Sequence, residues 1–258
     1  MRLRNALRLS LAILTALAGG AATPLGEAER DSALPSRFVC YPGQFSGFRA
    51  QPVTFIDQFS KVATIVIRIP GTVCAPAPGS SANYLTCYRA TVRKTKFVAR
   101  SVKAVDEFTK VPVAATLSRL LTVCAPTSRV DTGGGTPKRL DFFTCYSTKW
   151  SRTTTHTDVA VSDDFGSSHD DVQTGNIFCA PAARSGLRQF DRTRFLNCYT
   201  VKSSTKGTTV VVKNALGYLK AALGPRQQLP ADYLQQELLV NLVDPRGLGW
   251  LDQLAHCG

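Results

Sequence analysis

Cysteine is the residue type in this chain with the most chemistry in its placement. Cys-Tyr occurs at Cys40-Tyr41, Cys87-Tyr88, Cys145-Tyr146 and Cys198-Tyr199. Cys-Ala-Pro alternates with it at Cys74-Ala75-Pro76, Cys124-Ala125-Pro126 and Cys179-Ala180-Pro181, and Cys257 stands one residue from the end. No pair has the C-x-x-C spacing of a zinc site, and the three histidines, His156, His169 and His256, supply no second cluster of ligands. Paired disulfides are the chemistry expected of Cys40, Cys74, Cys87, Cys124, Cys145, Cys179, Cys198 and Cys257.

Eight cysteines allow 105 pairings, and two schemes respect the alternation. In the first, each Cys-Tyr joins the following Cys-Ala-Pro: Cys40 with Cys74, Cys87 with Cys124, Cys145 with Cys179, leaving Cys198 for Cys257. In the second, each Cys-Ala-Pro joins forward: Cys74 with Cys87, Cys124 with Cys145, Cys179 with Cys198, leaving Cys40 for Cys257. The first is preferred because its sequence separations are nearly constant.

Other chemistry is thinner. Asp163, Asp164, Asp170 and Asp171 lie close in sequence with Asp158 and His169, and are the residues to consider for a cation, calcium above all, which needs several oxygens. A charged, solvated hairpin loop is the favoured reading, so no metal and no cofactor is expected. Arg93, Lys94, Lys96 and Arg100 are interleaved with apolar residues and form the best polyanion patch, sharing one face if 92–102 is a regular strand. Four arginines, Arg184, Arg188, Arg192 and Arg194, gather in a second segment. There is no Gly-x-Ser-x-Gly elbow and no phosphate-binding glycine loop. No catalytic residue is identified, and the chain is not expected to be an enzyme.

The elements that position these residues begin after an export signal. Arg2, Arg4 and Arg8 precede an apolar run from Leu9 to Ala18, followed by the small residues Gly20 and Ala22. This pattern predicts a signal peptide over 1–22 and a linker over 23–37, and so a secreted or periplasmic protein in which disulfides persist. No later stretch is long and apolar enough for a transmembrane helix. The formal charge of +13 falls to +10 without the three leader arginines. Such a surface attracts polyanions in general. An anionic polysaccharide or envelope surface is a more fitting partner than nucleic acid for an exported chain.

Aligned on Cys-Tyr, the chain divides into units at 38–83, 84–141, 142–194 and 195–258. An apolar residue stands two before each of these cysteines: Phe38, Leu85, Phe143 and Leu196. About twenty residues later comes Asp57-Gln58-Phe59, Asp106-Glu107-Phe108 or Asp163-Asp164-Phe165, with Asn214-Ala215-Leu216 as the worn fourth copy. Aspartate or asparagine here suits a side-chain-to-backbone turn, and the aromatic suits the core. Gln228-Leu229-Pro230 is read as the fourth Cys-Ala-Pro, its cysteine lost. Runs such as 63–69 and 208–212 are β-branched and bounded by turn residues, as strands are. The expected fold is all-β: tandem units in antiparallel sandwich or barrel-like sheets, a small propeller being second choice. One C-terminal helix is expected over 231–243, from the spacing of Leu234, Leu238, Leu239, Leu242 and Val243 after Pro230.

The combination Phe38-Val39-Cys40-Tyr41, Val53 to Phe59, Val73-Cys74-Ala75-Pro76 and Tyr84 to Tyr88 resembles a tandem-repeat family of exported bacterial proteins of unknown function. That resemblance implies secretion and tandem β units and carries no catalytic residues. The function expected is therefore a structural or binding module of the cell envelope or extracellular space. The alternative is a secreted hydrolase acting on a polymer such as polysaccharide.

Overall fold

The structure, a computed structural model, describes residues 37–60, 63–77, 83–92, 97–135, 137, 139–202 and 207–224, and the backbone of 237–243. The signal peptide and linker expected over 1–37 lie outside it except for Arg37, as does Cys257. All described secondary structure is β. The strands are β1 (Arg37–Ser46), β2 (Gln51–Ile56), β3 (Ala63–Ala77), β4 (Tyr84–Val92), β5 (Arg100–Ala104), β6 (Val113–Arg129), β7 (Phe142–Trp150), β8 (Thr155–Asp163), β9 (Gly166–Arg184), β10 (Phe195–Lys202), β11 (Thr208–Asn214), β12 (Gly217–Leu223) and β13 (Glu237–Val243). They form one sheet, and every pairing is antiparallel.

One pairing pattern recurs along the chain. In each of the first three quarters a long strand is shared between two neighbours. Its first half pairs with a short hairpin partner (β2–β3, β5–β6, β8–β9). Its second half pairs with the Cys-Tyr strand, which puts Cys40 opposite Cys74, Cys87 opposite Cys124 and Cys145 opposite Cys179. Along its other edge the long strand pairs, through parts of both halves, with the Cys-Tyr strand of the next quarter, β3 with β4, β6 with β7 and β9 with β10. In the fourth quarter two strands divide this role. There β12 pairs with β11, while β13 pairs with β10 and with β1. Pairings therefore run from β1 through β3, β4, β6, β7, β9, β10 and β13 back to β1.

The long strands must turn from one partner to the other, and register shifts mark where they do so. The ladder of β3 with β4 shifts on either side of Pro70, that of β6 with β7 between Leu117 and Thr122, and that of β9 with β10 at Cys198/Tyr199. A bulge inserts a residue and bends the strand. At the last of these sites a Cβ on Gly175 would lie 2.3 Å from the Cys198 carbonyl oxygen. Only glycine permits that approach.

Alternation along the Cys-Tyr strands sorts side chains between two cores. Each cysteine and the apolar residue two before it face one way, where Phe38, Leu85, Phe143 and Leu196 pack with the sulfurs. The tyrosines face the other way. Tyr41, Tyr88 and Tyr199 join a large apolar cluster with Val53, Phe55 and Ile65, and Tyr146 joins Phe59, Phe178 and Phe195.

Three expectations need correction. Glu237–Val243 is a strand, not part of a helix. Its leucines fit a period of 3.6, but the open ladders of β1 and β10 take the segment as their common neighbour, and tertiary pairing overrides local spacing. The fourth equivalent of the Cys-Ala-Pro cysteine is Val240, paired with Cys198 on β10 and with Phe38 on β1. Gln228-Leu229-Pro230 lies outside the described residues. Finally, 92–102 is not one strand, because β4 ends at Val92 and β5 begins at Arg100.

Candidate functional site

The cysteines converge. Disulfides join Cys40 to Cys74, Cys87 to Cys124 and Cys145 to Cys179, with Cα atoms 3.8, 3.9 and 4.0 Å apart and sequence separations of 34, 37 and 34. These are three of the four bridges of the first pairing scheme, and the cross-strand register explains them, since each bridged pair is directly opposite in an antiparallel ladder. The fourth expected bridge, Cys198 with Cys257, is not made: Cys257 lies outside the described residues and Cys198 carries no bond. Cys198 is a free, buried thiol, and the surrounding apolar packing pushes its pKa up to about 12. All seven of these sulfurs border one small cavity of about 30 Å³, completed by Thr72, Leu85, Thr122, Ile177 and Leu196.

On the opposite face the acidic-aromatic elements act as turns and clasps. Asp57 Oδ1 accepts the backbone N–H of Phe59 and of Ser60, both at 2.7 Å. Asp106 Oδ1 accepts Phe108 N and Thr109 N at 3.0 and 2.9 Å, Asp163 Oδ1 accepts Phe165 N at 2.7 Å, and Asn214 Oδ1 accepts Leu216 N at 2.8 Å. This is the side-chain-to-backbone turn expected of such residues. The second polar atom of each reaches a tyrosine two quarters away. Tyr146 donates to Asp57 Oδ2 at 2.5 Å, Tyr199 to Asp106 Oδ2 at 2.6 Å and Tyr41 to Asp163 Oδ2 at 2.7 Å. In the fourth case the donor is the amide, Asn214 Nδ2 to Tyr88 Oη at 2.8 Å. Quarters one and three thus clasp each other, and so do two and four. Burial, and then the neighbouring carboxylate, hold the Tyr146 and Tyr199 hydroxyls protonated far above neutral pH.

The acids considered for a cation are not brought together. Asp163 is held by Tyr41, and Asp164 accepts a hydrogen bond from Tyr84. Asp170 is buried on one face of β9 and accepts from Ser168 Oγ at 2.9 Å, whereas Asp171 is exposed on the other. Asp158 pairs instead with His169 Nδ1 at 2.9 Å, both well exposed. Among the described residues no group of three His, Cys, Asp or Glu side chains converges as a metal site. Of the polyanion patch, Arg93, Lys94 and Lys96 lie outside the described residues, and Arg100 is exposed at the start of β5.

A more structured surface feature is the loop 185–194, which joins β9 to β10. Asp141, buried just before β7, accepts Phe190 N at 2.8 Å and Asp191 N at 2.7 Å, one on each carboxylate oxygen. Burial raises the Asp141 pKa, and these two amides pull against that rise. Asp191 Oδ1 in turn accepts the hydroxyl and the amide of Thr193. So anchored, the loop leaves Phe190 62% and Leu187 53% exposed, with Arg188 and Arg192 also exposed. The other two arginines are structural. Arg184 Nη1 donates to the Ala215 carbonyl at 2.9 Å, and the Arg194 guanidinium is mostly buried with its Nε 3.9 Å from Asp191 Oδ2.

Sequence reasoning singled out the arginines and missed Asp141 and Phe190. The Phe190-Asp191 and Asp141 pair gives no local signal, because the partners are 49 and 50 residues apart. No helix among the described residues is long and apolar enough to cross a membrane. No family model matches the chain, and no curated protein and no solved structure matches it.

Proposed function

We propose that this chain is an exported, disulfide-stapled binding module, built by tandem duplication into a barrel-like closure, that recognises acidic polysaccharide of the envelope or extracellular space through the loop 185–194. Its resemblance to exported bacterial repeat proteins supports the same reading, as do three disulfides. The observation that carries it is a loop anchored by Asp141 that presents an exposed aromatic beside two exposed arginines. Burying Asp141 beneath the loop restrains its backbone, so a partner need not bear the full entropy of ordering it. An aromatic face offers apolar area to a sugar ring, and arginine forks match its carboxylates.

The hydrolase alternative needs two free carboxylates about a glycosidic bond. Asp57, Asp106, Asp163 and Asp141 are instead engaged by backbone amides and tyrosines.

Calorimetric titration with an acidic polysaccharide and with a neutral one separates the outcomes. Binding to the acidic polymer alone, weakened about tenfold or more by F190A and by R188A/R192A together, is expected. No binding by the folded protein, or binding unchanged in both variants, would overturn the proposal.

A further inference from the structure

The disulfides are not isolated from one another. Cys74 Sγ lies 3.9 Å from Cys87 Sγ, Cys124 Sγ lies 3.7 Å from Cys145 Sγ, and Cys179 Sγ lies 3.8 Å from Cys198 Sγ. Bonds and contacts therefore alternate without a gap from Cys40 to Cys198, and the series ends in a thiol. We infer that these seven cysteines form an internal thiol–disulfide relay, along which a free thiol at Cys198 can migrate to Cys40 while the bridges shift by one place.

Each step is an ordinary exchange, in which a thiolate attacks one sulfur of a disulfide and the other sulfur leaves as thiolate. Cys198 attacks Cys179, forming Cys179–Cys198 and releasing Cys145. Cys145 attacks Cys124, forming Cys124–Cys145 and releasing Cys87. Cys87 attacks Cys74, forming Cys74–Cys87 and releasing Cys40. Three disulfides and one thiol exist before and after every step. No oxidant or reductant is consumed; the proton lost at Cys198 is regained by the last thiolate. The product carries the three forward bridges of the second pairing scheme with Cys40 as the thiol, so the within-unit and forward bridges are end states of one reaction. Close-packed cores resist such motion, but here all seven sulfurs border the same cavity of about 30 Å³, which gives a displaced sulfur room to turn.

Migration is slow at neutral pH, because the residues around Cys198 favour the protonated thiol. Ile177 and Cys179 of β9 flank it, and no charged residue is among the described residues that line the cavity. Asp106 sits with Asn197 and Tyr199 on the other face of β10. Below the thiol's raised pKa the rate should climb about tenfold per pH unit.

The test uses the full chain with C257S, which fixes the cysteine count at seven. Folded protein is held at about pH 9, where the thiolate fraction favours exchange. It is then quenched with acid, unfolded and labelled with N-ethylmaleimide under mildly acidic conditions, and mapped without reduction. Label on Cys145, Cys87 or Cys40 as well as Cys198, with peptides joining Cys179 to Cys198 and Cys124 to Cys145, is expected. Label confined to Cys198 after prolonged incubation would overturn the relay. C198S/C257S, which lacks the initiating thiol, must show no shifted bridge; the same shifts there would assign them to unfolded chains and refute the inference. In C87A/C124A/C257S the relay is cut, and label should stop at Cys145; label on Cys40 sinks the proposal.

Discussion

The first three quarters and the fourth reach the same closure with different chemistry. Quarters one to three close each Cys-Tyr strand against its neighbour with a disulfide, and quarter four places Val240 where the second sulfur would be. Three of the four clasps use an aspartate that accepts from tyrosine, and the fourth uses Asn214, which donates to Tyr88. A single long strand bends in three quarters, and in the fourth it is replaced by β12 and β13. Hydrogen-bond direction, charge and sulfur all change, while register and turn geometry persist. Backbone pairing and the turn are therefore what the architecture requires; disulfide and carboxylate add stability to it.

The largest expected contrast lies between clasps. D57A strips acceptors from Tyr146, Thr144 and two backbone amides at once, and should cost about 3–5 kcal/mol, because several buried donors lose their shared acceptor together. N214A removes a neutral clasp and should cost about 1–2 kcal/mol. Urea denaturation of both would erase the contrast if the costs were equal. Next, V240C should complete the fourth bridge with Cys198, eliminate the titratable thiol and stabilise by about 3 kcal/mol. A thiol count unchanged after oxidation would show that β13 does not hold this register. A smaller change is D57N, which converts the first clasp to the chemistry of the fourth and should cost only about 1 kcal/mol, since one side-chain oxygen and one donor preserve the turn and the tyrosine contact.

The weakest contrast is in pH. Burial, opposed by Tyr41 and two backbone amides, raises the Asp163 pKa above 3.8, whereas its counterpart Asn214 does not titrate. A raised value means the folded state holds the proton more tightly. The stability this group lends is full below 3.8 and is lost as pH rises through its folded value. Urea midpoints followed upward from that pH should fall in the wild type relative to D163N; parallel curves would contradict the shift.

Much of the frame was legible in the sequence because its signals are local. The period of two around Cys-Tyr separates Phe38 and Cys40 from Tyr41, and Asp57 two residues before Phe59 announces a turn. Near-constant spacing of cysteines points to the three bridges within quarters, but not to the free Cys198. What was not legible depends on distance: Tyr41 and Asp163 are 122 residues apart, and Tyr146 and Asp57 are 89 apart. β13 is not legible locally because leucines at 234, 238, 239 and 242 satisfy a helical period, and only the edges of β1 and β10 decide otherwise. The position of Val240 was hidden by the segment that separates β12 from β13, which shifts the fourth quarter out of alignment with the others.

In stacked-repeat proteins each unit touches only its neighbours, so units can be added or removed one at a time. Here every clasp skips a neighbour, and that changes how such a chain can be divided. Cut after the second quarter, it yields two fragments, each carrying two tyrosines whose partners were left on the other. Neither half can satisfy itself, yet each is a complete set of partners for its opposite. The molecule is in this sense already a pair of interlocking halves, written on a single chain.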